Sequence, residues 1–297
     1  MVLRDNRASM GDRNQFVQDK SYVTIRSPKY NKAWCSLGSG LGKRKIEMST
    51  NAVQMQRAHY DRIAEQYQDH YGDFYSRQYR LKFINEPLFQ GIDLEGKNVL
   101  EAMCGSGFTT EYLLSKGARV TGLDVSGEEM ESFKKHWPEC AGISASILDS
   151  GLAGNRFDCV AVIGGLHHLH PHLGEALQEI HRILKPGGYL CFAEPHEGSW
   201  PDLVRSYWYK HDRLFAHNEA SIDLQGLKKD FAKHFSFKTE VYRGNIAYLL
   251  VLNSMVFRIP WALKRLYSPA LLRIEALAES FQGRLLSCFV ASQWQKR

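Results

Sequence analysis

Several features are missing from this sequence of 297 residues. Its six cysteines are scattered and form no C-x-x-C pair, which argues against a disulfide framework and against a zinc site. The N-terminal stretch MVLRDNRASMGDRN is polar and charged, unlike a secretory signal. The longest apolar run, Ile246–Phe257, has 12 residues, whereas a membrane-spanning helix needs about 20. These absences predict a soluble, cytoplasmic protein.

Charge is unevenly distributed along the chain. Residues 1–50 contain ten Lys/Arg and four Asp/Glu, residues 51–200 contain 13 and 20, and residues 201–297 contain 15 and eight. The middle is therefore acidic, and both flanks are basic. Because the C-terminal third is also rich in aromatic residues, we expect it to contact an anionic membrane surface, with an ordinary solvated surface as the alternative. No nucleic-acid-binding module is evident, so nucleic acid is not an expected partner.

The N-terminal region differs from the rest of the chain. Residues 1–47 lack periodicity and contain the flexible stretch SLGSGLG, which predicts a disordered basic tail. Residues 48–297 are predicted to form the working domain. Its first part, residues 51–90, has aromatic and apolar residues at helical spacing and is predicted to form a helical cap.

Strands and helices alternate through the predicted core, residues 97–196. Apolar runs predict strands at 98–103, 119–125, 141–146, 157–165 and 189–195, and helices lie between them at 108–117, 127–137 and 174–184. The last of these helices is followed by a predicted KPGG turn. Regular alternation of this kind is typical of an α/β fold with a parallel, doubly wound sheet and helices on both faces. Residues 200–297 are predicted to form a helical lid, broken at Pro260 and Pro269, together with two late strands at 234–242 and 285–294.

A glycine-rich turn, EAMCGSGFTTEY, follows the first predicted strand. It lacks the lysine of a phosphate-binding P-loop and the third glycine of a dinucleotide-binding turn. Glu101 ends the strand just before the turn, where an acid suits a ligand with an ammonium group and repels a pyrophosphate. Asp124 ends the second strand, 17 residues after Gly107, where a carboxylate can accept both hydroxyls of a ribose. The pattern indicates an adenosine ligand.

The turn, Asp124, the later run FDCVAVIGGLHHL and the LKPGGYL turn together resemble the class I S-adenosylmethionine-dependent methyltransferases over residues 55–200. The resemblance implies a Rossmann-like sheet of seven strands, mostly parallel, with one antiparallel strand at 285–294. It also implies S-adenosylmethionine as the cofactor and O- or C-methylation of a small or lipid-linked metabolite. Two alternatives stay open, namely a non-catalytic adenosyl-ligand-binding partner subunit and an NAD-dependent dehydrogenase.

The resemblance also implies roles for individual residues. Glu101 would lie near the methionine amino group, and Asp124 would hold the ribose hydroxyls. The other cofactor-binding positions that it implies are Gly105, Gly107, Val125, Ser146, Ile147, Ile163 and Gly164. Many relatives carry an Asp followed by a small residue where this chain has Ser146 and Ile147, so the adenine contact departs from the family's pattern.

The candidates for a catalytic base cluster after the fourth and fifth strands, because ligands bind at the carboxyl ends of strands in open α/β sheets. His167, His168 and Glu194 are the predicted catalytic residues, with His170, His172 and His196 nearby in sequence. No metal site is predicted. Tyr67 and Tyr71 either form a lid over the donor or pack as core aromatics. The acceptor is expected under the aromatic and basic insertion at 200–282.

Overall fold

The computed structural model describes residues 71–211 and 219–297, with side chains described at 71–207 and 219–297. The predicted tail at 1–47, the first half of the predicted cap and the lid candidate Tyr67 lie outside the described residues. Those predictions are therefore untested.

Seven strands form one sheet in the order β3-β2-β1-β4-β5-β7-β6. Six of them run parallel, and β7 is antiparallel to both of its neighbours. The strands are β1 Asn98–Ala102, β2 Arg119–Asp124, β3 Ala141–Ser144, β4 Phe157–Ile163, β5 Leu184–Glu194, β6 Phe235–Arg243 and β7 Phe289–Lys296. This topology confirms the predicted doubly wound, mostly parallel sheet with a single reversed strand near the C-terminus.

Helices cover both faces of the sheet. Those described are α1 Phe74–Tyr79, α2 Glu86–Phe89, α3 Thr110–Ser115, α4 Gly127–His136, α5 Leu173–Ile183, α6 Trp200–His211, α7 Leu224–Asp230 and α8 Trp261–Ala278. Two π-helical turns, Arg80–Asn85 and Tyr248–Leu252, and two 3₁₀ turns, Leu166–His168 and Glu279–Phe281, complete them. No helix within the described residues is long and apolar enough to cross a bilayer.

Local sequence explains where the core helices begin and end. The hydroxyl of Ser126 accepts a hydrogen bond from the backbone N–H of Glu129 at 3.1 Å, so Ser126 caps α4 as its sequence predicts. Gly117 follows α3 with a φ of 76°, a conformation that ends helices and favours glycine. Apolar residues at helical spacing on α5 bury one face against the sheet.

Two predicted breaks are absent. The KPGG segment lies within β5 rather than before it, because a shift of register after Phe157 accommodates the extra residues as a bulge. Pro269 lies inside α8 and does not end it. A proline removes one backbone donor, but this helix is also held from the side by buried polar contacts, so it continues past the missing hydrogen bond.

Candidate active site

A cavity of about 710 Å³ opens at the carboxyl ends of β1, β2, β3, β4 and β5. This edge is where open parallel sheets bind their ligands. Eight of the nine predicted cofactor-binding residues line the cavity: Glu101, Gly105, Asp124, Val125, Ser146, Ile147, Ile163 and Gly164. The fold therefore gathers residues from four strands into a single site.

Gly107 is the predicted position that does not line the cavity. Its φ is 90°, and an added Cβ would lie 2.6 Å from the indole nitrogen of Trp137 and 2.8 Å from Phe133. The same indole donates a hydrogen bond to the carbonyl of Ser106 at 3.1 Å. Gly107 thus lets α4 pack against the turn. The resemblance instead implied a position beside the cofactor.

The turn itself holds an unusual backbone conformation. Met103 has a φ of 55°, in the left-handed region that non-glycine residues rarely adopt. The backbone N–H of Gly105 donates to Asp124 at 2.9 Å, which joins the turn to the end of β2. Strained residues of this kind occur where the surrounding structure enforces a functional shape.

Glu101 is buried, and its carboxylate faces the start of α3. It accepts hydrogen bonds from the backbone N–H of Thr109 at 3.0 Å and from the hydroxyl of Thr110 at 2.5 Å. Burial raises the pKa of Glu101 to about 7, although the hydrogen bonds from Thr110 and Thr109 oppose the increase. The residue lines the cavity as predicted, and it also fixes the first turn of the helix.

Asp124 is buried beside the same turn. One carboxylate oxygen accepts from Gly105, and the other accepts from the backbone N–H of Ser126 at 2.9 Å. These contacts orient the carboxylate at the edge of the cavity, which it lines together with Glu129. A carboxylate has room for further donors, so this arrangement can accept the hydroxyls of a ribose.

Two residues that line the cavity, Arg80 and Phe108, were not identified from the sequence. Arg80 is buried, and its guanidinium lies 4.6 Å from the centre of the Phe108 ring. Tyr71, a predicted lid residue, lines the cavity beside them, and its hydroxyl donates to Asn253 at 3.1 Å. Arg80 lies in a π-helical turn, a feature often found at functional sites. Nothing in its local sequence distinguished it from other arginines.

His167 and Glu194 form a buried pair. The Nδ1 atom of His167 lies 2.8 Å from the Glu194 carboxylate, which also accepts from the backbone N–H groups of Gly165 and Leu166 at 2.8 Å. Burial lowers the pKa of His167 well below its usual range and raises that of Glu194 to about 7. Glu194 is fully buried and does not line the cavity. The structure thus places it as a positioning residue, in contrast to the predicted catalytic role, because backbone donors occupy its carboxylate.

His168 lies on the cavity wall with a different partner. Its Nδ1 atom is 3.4 Å from the carboxylate of Glu219, whose side chain is 5% exposed. Burial lowers the pKa of His168, but the nearby carboxylates, Glu219 foremost and then Glu194 and Asp124, more than offset this, so the net pKa is raised. Glu219 is 51 residues away in sequence, and no local pattern pointed to it.

His167, His168 and Glu219 also place ligand atoms within 4.8 Å of one another. Imidazole nitrogens and a carboxylate oxygen are ligands that divalent transition metals accept. The contact between His167 and Glu194 resembles the outer-shell support of a metal-bound histidine. This group could therefore hold a cation, although the sequence predicted no metal site.

The remaining histidine candidates are not brought into the cavity. His172 pairs with Glu175 on α5 at 3.3 Å, and His196 packs against the ring of Tyr242 with centroids 4.8 Å apart. His170, like His196, does not line the cavity, and burial lowers the pKa of both. Their positions leave His168 as the candidate best placed to meet a bound acceptor.

The far half of the cavity is apolar. It is formed by α6, the second π-helical turn and the chain after it, as far as the start of β7. Its apolar lining consists of Trp200, Pro201, Val204, Leu249, Leu252, Met255, Val256, Phe257, Leu286 and Phe289. Arg205 is the charged residue of this half. The donor-side residues, His168 and these apolar residues thus line one cavity.

The residues of the polar half fit the methyl donor that the resemblance implies. Acids at Asp124 and Glu129 suit ribose hydroxyls, and the buried Arg80 suits a carboxylate. An added Cβ at Gly164 would meet nothing within 4 Å, and its φ is 67°. Backbone therefore forms this part of the wall and leaves space for a ligand to approach closely.

Comparison with known proteins supports the same identification. Residues 100–192 match the family model described as a methyltransferase domain. A fatty-acid O-methyltransferase of Mycolicibacterium smegmatis is 30% identical over 207 residues, which are 67% of this chain and 69% of that protein. An uncharacterized methyltransferase of Synechocystis is 32% identical over 140 residues, which are 43% of this chain and 66% of that protein.

The chain thus spans about two thirds of the length of these two relatives. Among solved structures, an S-adenosylmethionine-dependent methyltransferase of Thermotoga maritima superposes with a TM-score of 0.55 at 16% identity, over 81% of this chain and 99% of that chain. This likeness concerns the fold, and the sequence relatives carry the family. The chain belongs to the class I S-adenosylmethionine-dependent methyltransferases.

Proposed function

We propose that this protein methylates a hydroxyl oxygen on an apolar, lipid-linked acceptor. The observation that carries the proposal is that His168, paired with Glu219, lines the same cavity as the donor-side residues and the apolar residues. A polar acceptor would lose hydration in that half without gaining hydrogen bonds. An aliphatic or polyaromatic chain would be stabilised there.

In this proposal the donor is held by residues from several elements. Asp124 accepts the ribose hydroxyls, Val125, Ser146 and Ile147 surround the adenine, and Arg80 meets the methionine carboxylate. Ile163 and Gly164 flank the path of the methyl group. The donor supplies an activated methyl group on a sulfonium, so the protein has only to align the acceptor and manage its proton.

His168 manages that proton. With Nδ1 directed at Glu219, the Nε2 atom would accept the proton of the acceptor hydroxyl as the new oxygen–carbon bond forms. The carbon–sulfur bond of the donor would break in the same step, which leaves S-adenosylhomocysteine. Glu219 stabilises the resulting imidazolium, in the way that a carboxylate partner supports a histidine base elsewhere. Burial lowers the pKa of His167 well below its usual range, and its ring packs against that of His168 with centroids 3.8 Å apart.

A second candidate acceptor is a fatty-acid carboxylate. Arg205 lines the apolar half, and the Mycolicibacterium relative is named as a fatty-acid O-methyltransferase. A carboxylate is already ionised, so its methylation needs no base. The two candidates therefore differ in their dependence on His168.

We also propose that the protein works at the periphery of a membrane, because a lipid-linked acceptor is found there. The apolar half of the cavity and the exposed apolar residues at its rim support this view.

Labelled S-adenosylmethionine tests the function. Incubation with total lipid extract, followed by chromatography and mass spectrometry, should yield a labelled apolar product. A methyl ether survives mild alkali, whereas a methyl ester releases labelled methanol. His168→Ala should lower ether formation by about 100-fold or more, the usual contribution of a positioned base, and should leave ester formation almost unchanged.

His172→Ala serves as the matched control, since His172 lies outside the cavity and should keep the wild-type rate. The absence of any labelled product from folded, donor-binding protein would favour the non-catalytic alternative and would sink the proposal. Alkali-labile label that does not depend on His168 would instead establish the fatty-acid candidate.

A further inference from the structure

The helix α8 is inverted relative to ordinary surface helices. Its buried residues are polar, namely Lys264, Ser268 and Glu275, which fall on one face of the helix. The ammonium of Lys264 bonds to Asp73 at 2.5 Å, and Glu275 accepts from the hydroxyl of Tyr79 at 3.0 Å. These polar contacts attach the inner face of the helix to the protein, together with the half-buried Tyr267, Leu271 and Leu272, which pack against the core.

The outer face of α8 is apolar and exposed. Leu266 is 73% exposed and Leu277 is 76% exposed, and Phe281, just beyond the helix, is 83% exposed. Trp261, Leu263 and Ile274 are exposed as well. A surface helix in water normally has the opposite arrangement, so water is not the natural environment of this face.

The helix α6 shows the same inversion. Asp202 is buried and accepts a hydrogen bond from the Ser221 hydroxyl at 2.5 Å. Leu203, Val204 and Tyr207 are each more than 60% exposed. Two separate helices thus direct polar residues inward and apolar residues outward.

The start of α6 and the segment that follows α8 meet at the mouth of the cavity. The backbone N–H of Trp200, at the start of α6, donates to the carbonyl of Leu285 at 2.9 Å. Trp200, Val204 and Leu286 line the cavity and are also exposed. We call the exposed apolar residues of α6, of α8 and of the segment 281–286 the mouth surface.

Charge on the mouth surface has one sign. Between residues 258 and 286, the exposed charged side chains are Arg258, Arg265, Arg273 and Arg284, whereas both acids of this stretch are at least partly buried. The guanidinium of Arg265 lies 5.3 Å from the centre of the Trp261 ring. Arginine beside tryptophan and leucine on an apolar face is typical of segments that lie in the interface of an anionic bilayer.

We propose that the mouth surface docks on an anionic lipid bilayer and turns the cavity mouth toward the acyl chains. This inference rests on the proposed lipid-linked acceptor, which would then enter the apolar half without crossing water. A second copy of the chain fits the surface less well, because pairing through the same surface would bring the arginines of both copies together.

Vesicle binding tests the inference without any methyl transfer. Full-length protein is mixed with vesicles of phosphatidylcholine, alone or with phosphatidylglycerol, and sedimented at low and high salt. We expect binding to the mixed vesicles, a blue shift of tryptophan fluorescence and weaker binding at high salt. The double variant Leu266→Glu with Leu277→Glu should bind at least about tenfold more weakly, since it loses apolar burial and adds repulsion.

Lys135→Glu is the matched control, because it changes the net charge by the same two units on the exposed side of α4. It should bind vesicles like the wild type, and both variants should bind S-adenosylhomocysteine normally. Failure of the wild type to bind either vesicle would overturn the inference. So would a wild-type dimer that the double variant converts to a monomer, because a second copy would then cover the surface. Vesicle binding without a labelled product would refute the proposed function alone.

Discussion

At His168, burial and a carboxylate act on one imidazole in opposite directions. Burial alone lowers its pKa, as it does at His167 beside it, but the surrounding carboxylates, Glu219 foremost, reverse the result. Two adjacent residues of the same type thus acquire different protonation behaviour from their partners. A general base needs a proton affinity matched to the working pH, and the partner Glu219 adjusts it.

The pH dependence of the rate should report this pair. A histidine base works when neutral, so kcat/KM should rise with pH, with a midpoint above 6.5, the usual pKa of a histidine. Glu219→Gln removes the negative charge that raises the pKa of His168, so the midpoint should move to lower pH. The plateau should fall as well, because the imidazolium loses its stabilising partner. Rates measured from acid to alkaline pH give both quantities.

Glu179→Gln is the control for charge, since Glu179 pairs with Arg182 outside the cavity. An unchanged midpoint in Glu219→Gln would remove His168 from the reaction.

A chelator should leave the wild-type rate intact. A rate lost with chelator and restored by a divalent cation would assign His167, His168 and Glu219 to a metal instead.

At the scale of elements, one carboxylate on α8, that of Glu275, fixes the backbone next to the cavity wall. Glu275 accepts from the backbone N–H groups of Asn245 at 2.9 Å and Ala247 at 3.0 Å, in addition to Tyr79. The π-helical turn that follows, Tyr248–Leu252, lines the cavity. The side chain therefore links the inverted helix to the site.

Glu275→Ala should destabilise the protein by about 3 to 5 kcal/mol, because three buried donors lose their acceptor at once. Chemical denaturation measures the free energy of unfolding. Glu279→Ala, one turn further along and partly exposed, should change it by less than about 0.5 kcal/mol. Equal effects of the two substitutions would show that the buried contacts do not matter.

At the scale of the whole molecule, ligand binding should stabilise the fold. Residues from β1, β2, β4 and the Arg80 turn surround the donor half of the cavity, and unfolding separates them. S-adenosylhomocysteine at about 100 times its Kd should add about 2.7 kcal/mol. For a domain of this size, that corresponds to a rise in Tm of about 5 to 10 °C, which calorimetry can measure.

Asp124→Ala should require a higher concentration of S-adenosylhomocysteine for the same rise, because it removes the predicted ribose acceptor. The free energy of binding S-adenosylhomocysteine should weaken by about 1 to 3 kcal/mol in this variant, the usual cost of losing a charged hydrogen-bonding partner. Asp149→Ala is a suitable control, since Asp149 does not line the cavity. An identical response in both variants would argue against the ribose role.

The sequence by itself determined the features that depend on neighbours along the chain. Apolar runs set the strands, Ser126 and Gly117 set helix ends, and the positions of Glu101, Gly105 and Asp124 indicated an adenosine ligand, which the family resemblance identified as the methyl donor. These signals are local, because strand burial, capping and tight turns each involve only a few consecutive residues. The family resemblance added the reversed strand, which no local pattern shows.

Only the tertiary structure decided the roles that depend on distant partners. Glu219 reaches His168, Arg80 joins the donor side, and Glu194 turns to backbone donors, each across a long stretch of sequence. Periodicity shows that α8 has an apolar face, but the direction of that face depends on what packs beside it. Here Asp73 and Tyr79 bind the polar side, and Leu263, Leu266 and Leu277 face outward.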